Sequence, residues 1–249
     1  MRRFYIEDSR IGGKTADIRG LEARHIKTVL RMKPGDHVEL VDGSGFAFEA
    51  QIRQIASERV LADIVQRYPV ITEPDIQLTV ALGFLKEKKM DLLVRHLTEI
   101  GITRLIPVFS ERSIPRPEKQ KIASRLTRWG SISREAVKQS RRGFLPVIEE
   151  PAGYERILEI SSEADVRLLF WEEAREPMAA PREPRRSGAS VFALLGPEGG
   201  FSKMEAEKAV EAGFSSVTLG PRVLRAETAA IAACALIQYL FGDMGEKTP

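Results

Sequence analysis

The chain has 249 residues, 43% hydrophobic and 29% charged, with a formal net charge of +3. That balance excludes a disordered or fibrous chain, and the length suits one sizeable core or a small domain followed by a larger one. No apolar run approaches the roughly 20 residues that span a bilayer. The charged start MRRFYIEDSR carries no apolar secretory stretch, so a cytoplasmic location and no membrane partner are expected.

The segment LEARHIKTVLRM reads as a short amphipathic helix. HVELVDG, FAFEAQIRQI and RVLADIVQRY follow with period-two alternation, and DGSG separates the first two. Together they predict a small β-rich barrel with one helix over residues 1–72. Tyr68 to Pro74 holds two prolines and little periodicity, which marks a linker.

From Ile76 the rhythm changes to strands alternating with helices over residues 73–249. IQLTVALGF reads as a strand, LLVRHLTEIG as a helix ended by Gly101, and RLIPVF as a strand. PEKQKIASRLTRWGSISREAVKQS is a long basic helix with Gly130 inside it. VRLLFW, SVFALLG and SVTLG are three further strands, separated by the Pro/Arg-rich EPMAAPREPRRSG, expected to be a surface loop, and by the helix KMEAEKAVEAG. A last helix runs from about Glu227 to Phe241, with a polar tail after Gly242. Such alternation argues for an α/β domain with a mostly parallel sheet covered by helices.

Charge is unevenly placed along this order. Arg104 to Arg142 contains eleven basic residues, opposed only by Glu111, Glu118 and Glu135. A solvated helix face explains part of the excess, and phosphate contact is the functional alternative. The one cysteine, Cys234, lies in the apolar run AAIAACALIQYL and reads as a core residue. His25, His37 and His96 are scattered without ligand spacing, so no metal site is expected.

Ligands of open α/β sheets bind where strands end and loops begin. Three strand ends are chemically unusual here: LLFWEEA with Trp171, Glu172 and Glu173; LLGPEGGFSKME; and TLGPRVLRAETAA. In the second, Ser202 stands three before Glu205, the spacing of a capping box. Gly199 and Gly200 permit a tight strand-to-helix turn, and their missing side chains would also let a flat ligand lie against the backbone. The pattern is neither GxGxxG nor a P-loop. Glu198 would repel a pyrophosphate and suits a cation such as a sulfonium. In the third, Arg222, Arg225, Glu227 and Thr228 crowd beside an apolar helix, where polar groups usually find a partner.

LLGPEGGFSKME followed by LGPRVLRAETAA closely resembles the RsmE family of 16S rRNA uridine methyltransferases, in the SPOUT class. The likeness extends over the whole chain. RRFYI and HIKTVLRMKPGDHVELVDG are similar to that family's RNA-binding, PUA-like barrel. LKEKKMDLLVRHLTEIGITRLIPVFSERS and SREAVKQSRRGFLPVI are similar to its first helix and strand and its basic helix. The chain departs from the family pattern at Glu87, Arg95, His96 and Ala226, where Gly, Gln, Lys and Thr are usual.

The resemblance implies a C-terminal trefoil knot at about 190–241, an exception to the no-knot rule, and a homodimer. It implies S-adenosylmethionine bound by Trp171, Glu172, Leu195, Gly196, Pro197, Glu198, Gly199, Gly200, Leu219, Gly220, Val223, Leu224, Arg225, Glu227, Thr228 and Ala229. The expected substrate is a uridine of 16S rRNA, within the 30S subunit, methylated at ring nitrogen 3. Arg225 is the first candidate for the fixed charge beside the developing uridinate, with Arg134 and Arg142 next. Arg225 paired structurally with Glu227 is the plain alternative. Glu99 and Glu227 are the conceivable proton acceptors. Arg2, Arg3, Arg31, Arg128, Arg141 and Arg142 are the expected phosphate contacts. Two other readings stand beside this one: a methyltransferase of the same fold acting on tRNA or a ribose oxygen, and a non-catalytic ribosome-assembly protein that binds RNA.

Overall fold

The computed structural model describes residues 1–7, 10–114, 116–179 and 188–245. Contacts divide the chain into two compact units: Met1–Glu73 with Arg134–Leu145, and Pro74–Ser133 with Pro146–Pro249.

In the first unit, strands β1 (Arg2–Tyr5), β2 (Ile11–Gly12), β3 (Thr15–Arg19), β4 (His37–Val41), β5 (Phe46–Ile55) and β6 (Arg59–Pro69) form one sheet in the order β1-β4-β5-β6-β3-β2. Only β1 and β4 pair in parallel. The alternation of the sequence is the cause: Val38 and Leu40, Ala50 and Ile52, and Val60 and Ala62 all turn into one core with Phe4 and Ile18. Helix α1 (Gly20–Arg24) adds Ala23, and the π-helical turn His25–Val29 adds Ile26. The first helix predicted from the sequence is thus two short pieces. The linker is also shorter than the expected 68–74, because Tyr68 and Pro69 remain in register with Ala47 and Phe46.

Residues 134–145 belong to this unit through many bonds. Ser44 and Phe144 form a β-bridge, and Gly45 N–H donates to the Gly143 carbonyl at 3.0 Å. Thr72 donates to the Arg141 carbonyl at 2.7 Å, and Lys138 meets Glu22 at 2.6 Å. Glu73 accepts the backbone N–H groups of Gly143 (2.7 Å) and Phe144 (3.1 Å) as well as the Arg142 guanidinium (2.8 Å).

The second unit is a parallel sheet. Its strands are β7 (Gln77–Gly83), β8 (Arg104–Phe109), β9 (Val147–Ile148), β10 (Ala152–Gly153), β11 (Val166–Phe170), β12 (Ser190–Leu195) and β13 (Ser215–Val217). The order is β10-β8-β7-β12-β11-β13, with β9 also on β8, and every pair is parallel. Parallel sheets need both faces covered, and two apolar layers cover this one. Leu78, Val80, Leu82 and Ala193 pack under α2 (Glu87–Ile100), α6 (Ala226–Leu240) and Trp129 of α3 (Lys119–Ser140). Ala81, Ile106, Leu169, Phe192 and Leu194 pack under α4 (Tyr154–Ser161) and α5 (Lys203–Glu211). Gly101 ends α2 at φ 102, and a side chain there would strike Pro74 at 2.5 Å. Cys234 is fully buried, and burial pushes its thiol up to about 12. Most of the Pro/Arg-rich loop (180–187) and the end of the polar tail (246–249) lie outside the described residues.

Candidate active site

Because all strands of the second unit run the same way, their C-terminal ends share one edge. A cavity of about 570 Å³ opens there, built by the segments after β11, β12 and β13. That volume is in the range of roughly 300–1,000 Å³ that takes a cofactor-sized ligand.

The segment after β11 supplies Trp171 and Glu172 to the wall, with Ala174 and Arg175. The segment after β12 supplies Leu195, Gly196, Pro197, Glu198, Gly199 and Gly200. This turn is closed by the Gly200 N–H on the Pro197 carbonyl at 2.9 Å and handed to α5 by the Ser202–Glu205 capping box the sequence predicts. The segment after β13 supplies Leu219, Gly220, Val223 and Leu224, with Arg222, and α6 adds Ala226 and Ala229. Thr218 fixes that third turn by accepting the Gly220 N–H at 3.1 Å.

Glycine at 199 and 200 makes room for the protein itself. A Cβ on Gly199 would stand 3.2 Å from the Arg112 Cβ, and one on Gly200, at φ 66, would stand 2.3 Å from Glu172 Oε1. Both glycines nevertheless line the cavity, so the protein takes the Cβ side of this backbone while the cavity side stays bare. Gly83, at the end of β7, plays the same part for Pro197, whose nitrogen lies 2.2 Å from where a Cβ would be.

Arg225, Glu227 and Thr228 are not among the wall residues. Arg225 is exposed and takes the N-cap position of α6, its carbonyl accepting the Ala229 N–H at 2.8 Å. Glu227 pairs with Lys89 at 3.1 Å, and Lys89 also meets Glu198 at 3.3 Å. Burial raises the Glu227 pKa, but the backbone N–H at the helix start, Lys89 and Arg225 hold it below the ordinary carboxylate range. Lys89 is held above its ordinary value, chiefly by Glu227. Lys89 escaped the sequence reading, as did Arg175, although both follow strand ends on the same edge. Glu99 pairs with His96 at 3.2 Å along α2.

The arginines fall into two groups. Arg2, Arg31, Arg128, Arg134 and Arg141 are exposed; Arg128 pairs with Asp91, and Arg134 lies over the Tyr5 ring at 5.4 Å. Arg142 is 2% exposed and bound to Glu73, so its guanidinium is not presented to a phosphate or a base. Arg3 is likewise largely buried on Glu39 at 3.2 Å, and burial lowers its pKa. For these two, the expected RNA contacts are corrected to internal ion pairs. No group of three metal-ligating side chains occurs among the described residues.

The wall carries both signs, with Glu172, Glu198, Arg175 and Arg222 among its residues. The indole nitrogen of Trp171, Nε1, is buried without a hydrogen-bond partner among the described residues. Buried donors without partners are rare and call for one. A zwitterionic cofactor with an additional positive centre fits such a donor set.

A family model described as an RNA methyltransferase domain matches residues 72–238, and one described as an RNA methyltransferase PUA domain matches residues 18–65. The ribosomal RNA small subunit methyltransferase E of Aquifex aeolicus is 30% identical over 238 residues, covering 95% of this chain and 99% of its own. The crystal structure of the same enzyme from Neisseria gonorrhoeae, bound to S-adenosyl methionine, is 35% identical with a TM-score of 0.87, over 98% of this chain and 99% of that one. A putative methyltransferase from Legionella pneumophila, solved with the same cofactor, is 27% identical with a TM-score of 0.88, over 97% and 98%. The chain belongs to the ribosomal RNA small subunit methyltransferase E family.

Proposed function

We propose that the protein transfers the methyl group of S-adenosylmethionine to ring nitrogen 3 of a uridine in 16S ribosomal RNA. The observation that carries this reading is the cavity at the sheet edge, lined by Trp171 and by side chains of both signs. Trp171, Glu172, Leu195 to Gly200, Leu219, Gly220, Val223, Leu224 and Ala229 would hold the cofactor. When bound, it supplies an electrophilic methyl group on a sulfonium. Glu198 is already paired with Lys89, so Glu172 is the wall acid that would favour that positive centre over a neutral thioether.

Neutral uracil keeps a proton on ring nitrogen 3 and is a poor nucleophile there. The chain must favour loss of that proton and align the nitrogen with the methyl. Arg225 remains the first candidate for the fixed charge beside the uridinate, since it is exposed at the first turn of the helix that lines the cavity. Arg134 is the second candidate, and Arg142 is withdrawn. An arginine stays protonated and acts here electrostatically, not as a base. Glu227 is a weak base because its pKa is held low, and Glu99 lies at the end of α2 beside the start of β7, at the sheet edge opposite the cavity, which leaves water to take the proton. Thr228, exposed on the same turn, is assigned to the cofactor's surroundings.

Arg2, Arg31, Arg128 and Arg141 are assigned to phosphates of the RNA, in the 30S subunit. The PUA match supports an RNA-holding role for the first unit. The knot at about 190–241, a homodimer and a cytoplasmic location complete the reading. Leu236 and Tyr239 leave one face of α6 exposed, 42% and 56%. An apolar helix face of this kind supports a subunit contact. Among the described residues no helix is long and apolar enough to cross a membrane. Mass mapping of 16S rRNA from cells lacking the protein tests the function: one uridine should lose a methyl group and regain it on incubation with protein and cofactor. An unchanged methylation map would overturn it.

A further inference from the structure

The turn after β8 is built more firmly than an exposed turn requires. Ser110 and Ser113 are 1% and 7% exposed. Ser113 Oγ accepts the Ser110 N–H at 3.0 Å and donates to the Val108 carbonyl at 3.3 Å. Glu205, 7% exposed, joins this turn to the loop after β12. One of its oxygens accepts the Glu111 N–H at 2.8 Å and the other the Ser202 N–H at 3.0 Å. With that staple in place, a further tie is not needed to hold the two segments together. Arg112 supplies one nevertheless. It is exposed, yet its Nη1 donates to the carbonyls of Gly199 (3.1 Å) and Phe201 (3.4 Å). Gly199 and Gly200 line the cavity, and Glu172 packs against Gly200 from another side.

We infer that Arg112 is a positioning residue for the cofactor, holding the Gly199 and Phe201 carbonyls on either side of Gly200 before the ligand arrives. The inference rests on the proposed cofactor reading. Two adjacent glycines have more backbone freedom to lose than any other pair. Freedom left in the free protein is lost on binding and weakens affinity, and a loop ordered in advance avoids that loss. Hydrogen bonds from an ionised donor are the stronger kind, which suits one side chain restraining two carbonyls.

The test uses the full-length protein, with cofactor binding measured in the absence of RNA and RNA binding measured separately across a salt series. S-adenosylmethionine is titrated calorimetrically into wild type, Arg112→Ala and Arg112→Lys, and single-turnover methylation of 30S subunits is followed across cofactor concentrations. Arg112→Ala should weaken cofactor binding about tenfold and raise the cofactor KM equally, the size expected from one lost charged hydrogen-bonding group. At saturating cofactor its rate should stay within about threefold of wild type, since the reacting groups are untouched. Arg112→Lys keeps a charged donor and should recover part of the affinity. Wild-type cofactor affinity in Arg112→Ala, with weaker RNA binding and a flatter salt dependence, would make Arg112 a phosphate contact and overturn the inference. A lower rate at saturating cofactor with an unchanged KM would also overturn it, as would Arg112→Lys binding no better than Arg112→Ala. If wild type itself fails to bind the cofactor, the proposed function falls first.

Discussion

The first unit and the cavity of the second use charge in opposite ways. In the first, Asp17 holds both Arg19 and Arg59, Glu39 holds Arg3, Glu22 holds Lys138, and Glu73 holds Arg142. Its buried cations are closed onto acids of the same unit. At the cavity, Glu198 is paired with Lys89, but Arg175 and Arg222 stand on the wall without an ion pair, and Trp171 Nε1 without a hydrogen-bond partner, among the described residues. Charge satisfied within the chain holds a fold, whereas polar groups left open beside a cavity await a ligand. A basic sequence run therefore says little until its acids are located.

The largest expected effect tests the closed side. Arg142→Met leaves Glu73 without its cation, and breaking one partner of a buried pair costs about 3–5 kcal/mol. Urea unfolding should show that loss. A change under about 1 kcal/mol would place Arg142 among the dispensable surface pairs. Next in size is Arg225→Ala, which should slow single-turnover methyl transfer about a hundredfold, as deletion of one preorganised charge does. RNA affinity and its salt slope should hardly move. Equal losses in binding and rate would make Arg225 a docking residue and pass the catalytic role to Arg134. Smaller again is Trp171→Phe, which keeps a ring and removes the unpartnered donor. It should weaken cofactor binding about five- to tenfold, the worth of one hydrogen bond, with thermal stability of the free protein unchanged. An unaltered Kd would show that the indole donor is not used.

The smallest effect concerns Lys89, whose pairs with Glu198 and Glu227 are partly exposed and worth no more than about 1 kcal/mol. Glu227 is held below its ordinary 4.5, so its share is full above that value and lost as pH falls through the lowered one. Lys89 is held above its ordinary 10.5, so its share is full below that value and lost as pH rises through the raised one. The stability deficit of Lys89→Met should be constant between the two and close on either side. A deficit that persists below the Glu227 transition would mean the lysine acts by packing alone.

Most elements were legible because each has a strong local signal: alternation for β4 to β6, a terminal glycine for α2, and a capping box for α5. The three cavity segments were legible from strand ends rich in glycine, proline and charge. Residues 134–145 were not, because their basic pattern is the same whether arginines face solvent or an acid. Glu73, which settles Arg142, lies 69 residues earlier in the chain. Lys89 was missed for a similar reason. Its acids sit on two other segments, and nothing within a helical turn of it points to them. The glycines of the cavity loop were found, but their neighbours were not. Which side of a glycine is crowded depends on Arg112 and Glu172, both remote in sequence.

The return of residues 134–145 to the first unit also sets an order of events during synthesis. Glu73 cannot gain Arg142, nor can the Gly43–Gly45 turn gain its partners, until some seventy further residues have been made. At about 5–20 residues per second that is a wait on the order of ten seconds. For that interval the nascent amino-terminal sheet carries an uncovered carboxylate and an unfilled seam. A fragment ending at residue 73 should be loosely packed and bind a hydrophobic dye, and adding a peptide of residues 134–145 should lower that binding.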